Sequence, residues 1–88
     1  MFEWDEGKRQ RNIEKHNLDF LDAGLLFDGR PVITGTSDNV AETRFVTVGQ
    51  IGPKFYAVIW TWRAMARRII SFRRARDVEE RAYRHAHG

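Results

Sequence analysis

Cysteine is absent from these 88 residues, which excludes a disulfide framework and thiolate chemistry and suits a reducing cytoplasm. No apolar run approaches the roughly 18 residues of a membrane span, so no membrane association is expected. The N-terminus Met-Phe-Glu-Trp-Asp-Glu is acidic, where a signal or transit peptide would be basic, and neither is expected. There is no Gly-rich phosphate loop and no Ser-His-Asp set with usable spacing. Metal signatures are also missing, since His85 and His87 stand too close together and the carboxylates are not spaced as a cage. No metal and no cofactor are therefore expected.

What is present is aromatic and basic. Six Phe, three Trp and two Tyr supply much of a thin core, and residues 1–88 are expected to form one domain. Net charge is +3, unevenly placed. Residues 1–62 hold seven Lys/Arg against nine Asp/Glu, whereas residues 63–88 hold eight Arg against three acids. Such asymmetry points to a polyanion or an acidic protein at the C-terminal third, or to a solvated basic face.

Phe2-Glu3-Trp4 reads as a short edge strand or a packed lead-in. Asp5 is a good N-cap for a helix to about His16, and Asn17 fits the left-handed position that ends it. Asp19 then caps a second helix, with Asp22 in the capping-box place. Phe20, Ala23, Gly24 and Phe27, with Leu21 and Leu25 beside them, form its apolar stripe. Asp28 to Pro31 is a turn. Val32-Ile33-Thr34 reads as a strand, followed by a mobile loop over Gly35 to Val40. Arg44 to Gly49 and Phe55 to Trp62 read as strands joined in a hairpin through Gln50 to Pro53, and Arg67 to Arg73 as the next strand. Asp77-Val78-Glu79-Glu80 has capping-box spacing and opens a final helix to about His85. A rival reading runs one long basic amphipathic helix from Trp60 onward, because nothing in Arg63 to Ala66 demands a turn. The β-branched and aromatic content of this region favours strands.

Guanidinium groups stay charged near neutral pH and match phosphate oxygens with a fixed fork of donors. Strand alternation places Arg67, Ile69, Ser71 and Arg73 on one face, with Arg68, Ile70 and Phe72 on the other. If the strands are neighbours, Arg44, Arg63 and Arg73 can converge on one phosphate and neutralise charge in a phosphorane-like transition state. The alternative for each is an ion-paired surface arginine. His16 is the one histidine placed inside an element before the final helix, and the helix C-terminus there favours its imidazolium. It is either a proton-transfer group or a ring hydrogen-bonded at the helix-to-helix corner. Tyr83, Glu79 and Lys54 are further proton-transfer candidates, and Ser71 is a polar neighbour of the site rather than an evident nucleophile.

These features together resemble the BrnT family, toxins of bacterial type II toxin–antitoxin pairs with a RelE-like fold. The matching pieces are Trp4-Asp5 with Lys8, Asn12 and Lys15-His16, then Phe20 and Ala23, then Arg44-Phe45-Val46, Gly49 and Arg63. Arg68-Ile69-Ile70-Ser71-x-Arg73-Arg74-Ala75, with Glu79 and Tyr83 behind it, is the most specific. The resemblance implies an α+β fold, a small antiparallel β-sheet flanked by helices. It implies an endoribonuclease that needs no metal and blocks translation in the cytoplasm. Attack of a ribose 2′-hydroxyl on the adjacent phosphate would leave a cyclic phosphate. It implies a BrnA-like ribbon-helix-helix antitoxin, with operator DNA bound only through the toxin–antitoxin hetero-oligomer. The family's functional arginines map onto Arg63 and Arg73, followed by Arg44, Ser71, His16 and Tyr83. The chain departs from the pattern at Asn17 in place of Gly, at the turn after Arg63, where Gly is common, and at Arg76 and Glu80. Two other readings stand beside this one: an antitoxin-binding co-repressor without catalysis, and a plain basic nucleic-acid binder built on the long helix.

Overall fold

The computed structural model describes residues 1–38 and 41–88. Four strands form an antiparallel meander: β2 (Val32–Asp38), β3 (Thr43–Ile51), β4 (Lys54–Arg63) and β5 (Ala66–Arg74). A two-residue strand, β1 (Phe2–Glu3), adds to β5 in parallel, so the sheet order is β1-β5-β4-β3-β2. The expected α+β class with an antiparallel sheet and flanking helices is what the chain adopts, and the long-helix alternative is not. β2 continues through Gly35 to Asp38, paired with β3, where a loop was expected. Of that expected loop, Asn39 and Val40 lie outside the described residues.

Both tight hairpins have one residue at positive φ. Gly52, at φ 61, is the first central residue of the β3–β4 turn with Pro53 after it. Positive φ at that position alone is the II′ pattern that matches strand twist. The β4–β5 turn uses the same pattern with Ala64, at φ 56. An L-residue there crowds its Cβ against the backbone, at a cost of about 1–2 kcal/mol, which is why glycine suits the turn. The turn nevertheless forms and keeps Arg63 in register with Ala66.

Helix α1 (Glu6–His16) begins where the Asp5 carboxylate accepts from Lys8 N and ends at Asn17 in the left-handed conformation, as expected. The next segment, Phe20–Phe27, is a 3₁₀ helix rather than an α-helix. With three residues per turn, residues i and i+3 eclipse, and the buried set is Phe20, Ala23 and Leu26 rather than the 3.6-period stripe. Leu21 and Leu25 are exposed. This helix packs on one face of the sheet against Val58, Trp60, Ile69 and Phe72. It approaches so closely that a Cβ at Gly49 would fall 2.8 Å from Leu26 Cδ2. Trp60 satisfies its indole by donating to Thr47 Oγ1 at 2.9 Å. Helix α2 (Asp77–His87) lies on the other face, near β2 and β3, with Tyr83 edge-on to Phe55. Its capping differs from expectation. Glu79 Oε1 accepts from Arg76 N at 2.8 Å, which makes Arg76 the cap position; arginine has no acceptor to return the bond.

One irregularity decides which arginines face which way. Between Ile59 and Trp60 the β4–β5 register shifts by one, leaving Ile70 as an extra residue on β5. A bulge of this kind interrupts side-chain alternation. Arg67 and Ile69 pair with Trp62 and Trp60 on the core face together with Phe72, while Arg68, Ser71 and Arg73 turn to the α2 face. The strict alternation expected of Arg67 to Arg73 therefore fails at Ile70.

Candidate active site

Beyond the bulge, β1 has ended and the edge of β5 needs another partner. Asn12 supplies it: its Nδ2 donates to Phe72 O at 2.8 Å, and its Oδ1 accepts from Phe72 N at 3.2 Å. A third bond, Nδ2 to Leu18 O at 2.9 Å, completes a buried side chain that mimics a strand. Unpaired, those backbone groups would each cost about 1–3 kcal/mol. The tie sets the C-terminal end of α1 beside β5, where a cleft of about 590 Å³ opens on the α2 face. Lys15 and His16 line it from α1, Arg44 from β3, Ser71 and Arg73 from β5, and Arg76 and Glu79 from the start of α2; Val46, Ile59 and Ile70 supply apolar surface.

The guanidinium of Arg73 is clamped. Its Nη1 and Nη2 donate to Glu79 Oε1 and Oε2 at 2.8 and 2.9 Å, and Nη1 also donates to Arg74 O at 3.1 Å. Bidentate pairing of this kind fixes orientation as well as charge. Arg73 in turn holds the Glu79 carboxyl below its ordinary pKa, helped by the Arg76 amide, so Glu79 is anionic and does not serve as an acid. Arg44 is held more loosely, by a 3.4 Å contact from Nε to Glu42.

His16 departs from expectation. Burial, then the charges of Lys15 and Arg73, push its pKa below the usual value, and these outweigh the pull of the helix C-terminus toward imidazolium. Among the described residues the ring has no hydrogen-bond partner, so the corner-holding role does not apply. A neutral imidazole with a free lone pair therefore borders a cleft whose charged groups are otherwise arginine and lysine, apart from the committed Glu79.

The structure thus brings His16, Arg44, Ser71 and Arg73 together. Arg63 is not in the cleft lining: it is exposed at the far end of β4, beside the Ala64 turn and on the same face. Tyr83 is also outside, its ring packed 5.1 Å from Phe55 and 4.9 Å from His87. Lys54 is not in the cleft lining; it borders another depression with Tyr56 and Arg74, on the far side of His16, which lines both. Lys15 and Arg76 are cleft residues to which the sequence assigned no site role. The signal for Lys15 was available in the run Lys8, Arg11, Lys15, which keeps one face of a helix, but charge counted over residues 1–62 hid it among acids.

A five-stranded α+β scaffold thus carries a cleft lined by Arg44, Arg73 and Arg76 with one imidazole at its edge, an arrangement whose donors suit an anion. The profile of the ribonuclease toxin BrnT of type II toxin–antitoxin systems matches residues 4–79, and this chain belongs to that family. The family is one of ribonuclease toxins, and its place in a type II pair implies an antitoxin partner. Among curated proteins, none matches the chain.

Proposed function

We propose that this chain is an endoribonuclease that needs no metal ion and cleaves RNA in the cytoplasm by its own 2′-hydroxyl. In this reading the neutral His16 ring takes the 2′-hydroxyl proton as O2′ bonds to phosphorus. The P–O5′ bond breaks, O5′ takes a proton from water, and a 2′,3′-cyclic phosphate remains. Arg73, held by Glu79, and Arg44 face the non-bridging oxygens, where such contacts are worth about 3–4 kcal/mol of barrier. Ser71 borders the reacting groups as a polar contact. Arg63 meets RNA further along the same face, and Tyr83 keeps α2 on the sheet.

The observation that carries this reading is the meeting of a neutral histidine with Arg44 and Arg73 in one cleft. The donor set also supports metal independence, because hard cations take several oxygen ligands and the cleft's one carboxylate is engaged by Arg73. The alternative, a binding subunit without catalysis, would be favoured if the cleft offered no base; in this reading His16 serves as that base. The partner is proposed to be a BrnA-like ribbon-helix-helix antitoxin, binding operator DNA in a hetero-oligomer with this chain, and RNA cleavage to stop translation.

The test uses purified protein and single-stranded RNA with EDTA present. Expected are products ending in cyclic phosphate, and no cut where the scissile nucleotide is 2′-deoxy. Cleavage that EDTA stops, or that persists at the deoxy position, would overturn the mechanism.

A further inference from the structure

Three cations on α1, Lys8, Arg11 and Lys15, differ from their neighbour Arg9. Arg9, on the same helix, is engaged by Glu6 at 2.6 Å and by both Asp19 oxygens at 2.8 and 2.9 Å. The side chains of Lys8, Arg11 and Lys15 have no ion pair or hydrogen bond with any described residue. Their spacing places them along one helix face, and that face borders a groove of about 330 Å³. Lys15, His16, Ile70 and Ser71 line both this groove and the cleft, so the two are continuous. Lys8 precedes Lys15 by seven residues, about 10 Å along the axis. The stripe is thus too long for a single phosphate in the cleft.

We propose that the α1 groove is a phosphate-backbone subsite for single-stranded RNA, holding nucleotides adjacent to the bond cut in the cleft, with Lys8 and Arg11 each neutralising one phosphate. This rests on the reading of the cleft as the cutting site. Unpaired flexible cations on a rigid helix give attraction without reading bases, so the groove strengthens binding for any sequence. Its neighbour Arg9 is spent on acids, which marks the free stripe as directional rather than a general excess of charge.

The experiment measures binding of a short single-stranded RNA with 2′-O-methyl riboses, which this chemistry cannot cut, over a range of salt. Lys8→Ala/Arg11→Ala is compared with the parent and with Arg81→Ala/Arg84→Ala, which removes the same charge from α2. Alanine suits exposed helix positions, and circular dichroism checks each fold. The groove variant should show a log K against log salt slope shallower by about 1.4, from about 0.7 per phosphate on a single strand, while the α2 variant keeps the parent slope. An unchanged slope in the groove variant, or equal loss in both variants, overturns the proposal. So does intact RNA binding with loss of antitoxin in co-purification, which would make the groove a protein contact. Unmodified RNA of the same sequence separates the two readings: a parent that binds with the steep slope but never cuts supports the groove and defeats the cleavage reading alone.

Discussion

Arg67 and Arg73 stand on one strand, and the sheet sends them to opposite faces. Arg67 lies among aromatics on the core face, its guanidinium carbon 4.7 Å from the Phe27 ring centre, 5.1 Å from Trp60 and 5.0 Å from Trp62. Its Nε is buried with no hydrogen-bond partner among the described residues. Arg73 borders the open cleft and has its hydrogen bonds satisfied by Glu79. The same residue type thus packs among aromatic rings on one face and lines the cleft on the other. The extra residue at Ile70 separates the roles, and an arginine cluster in a sequence should not be taken as a single functional unit.

The sharpest way to break this comparison is to truncate each arginine. Arg73→Ala should slow RNA cleavage a few hundred-fold, equivalent to about 3–4 kcal/mol, with the far-ultraviolet circular dichroism of a folded protein. Arg67→Ala should leave cleavage near the parent rate while lowering stability in urea by about 1–2 kcal/mol. Equal damage to cleavage by both would show that the two faces do not divide the work.

A smaller effect sharpens the role of His16. As a base it acts only when neutral, and its pKa lies below the usual 6.5 because of burial, Lys15 and Arg73. Activity should therefore hold down to that value and fall only as pH drops through the depressed pKa. The linked stability has the same sign: it is present above the unfolded pKa and fades as pH falls. Lys15→Ala removes one of the depressing charges, so the acidic limb of the kcat/KM profile should move up toward 6.5. Movement the other way would remove His16 from the reaction.

The smallest effect concerns the hinge between the strands that carry the two faces. Ala64→Gly relieves the left-handed strain of the β4–β5 turn and should raise the thermal midpoint, by about 0.5–1 kcal/mol of stability. A lower midpoint would mean that the alanine conformation is not strained.

Elements with local signals were legible in the sequence. Asp5 and Asn17 mark both ends of α1, and the aromatic, β-branched run from Phe55 to Trp62 marks β4. What was not legible depended on partners distant in the chain. Nothing around Ile70 announces a bulge, because the register is set by β4 and by Asn12 reaching across from α1. The choice of a 3₁₀ helix for Phe20–Phe27 follows from packing against the sheet, with Gly49 leaving room for Leu26. In the site, Arg44, Ser71, Arg73 and His16 were found by residue type and resemblance, and they meet in the cleft. Arg63 and Tyr83 do not join them, since a turn and an aromatic contact place them elsewhere. Arg76 was missed because it enters as a cap position rather than as a strand arginine.

Glu79 has two duties whose coupling reaches beyond either one. Its carboxylate accepts the amide that starts α2 and grips both terminal nitrogens of Arg73. Helix nucleation and guanidinium orientation therefore become a single cooperative event. Fraying of a helix end is ordinarily a harmless local opening, but here each opening releases the arginine. Warming should loosen Arg73 before the sheet melts, and anything that grips the first turn of α2 would hold that guanidinium in place.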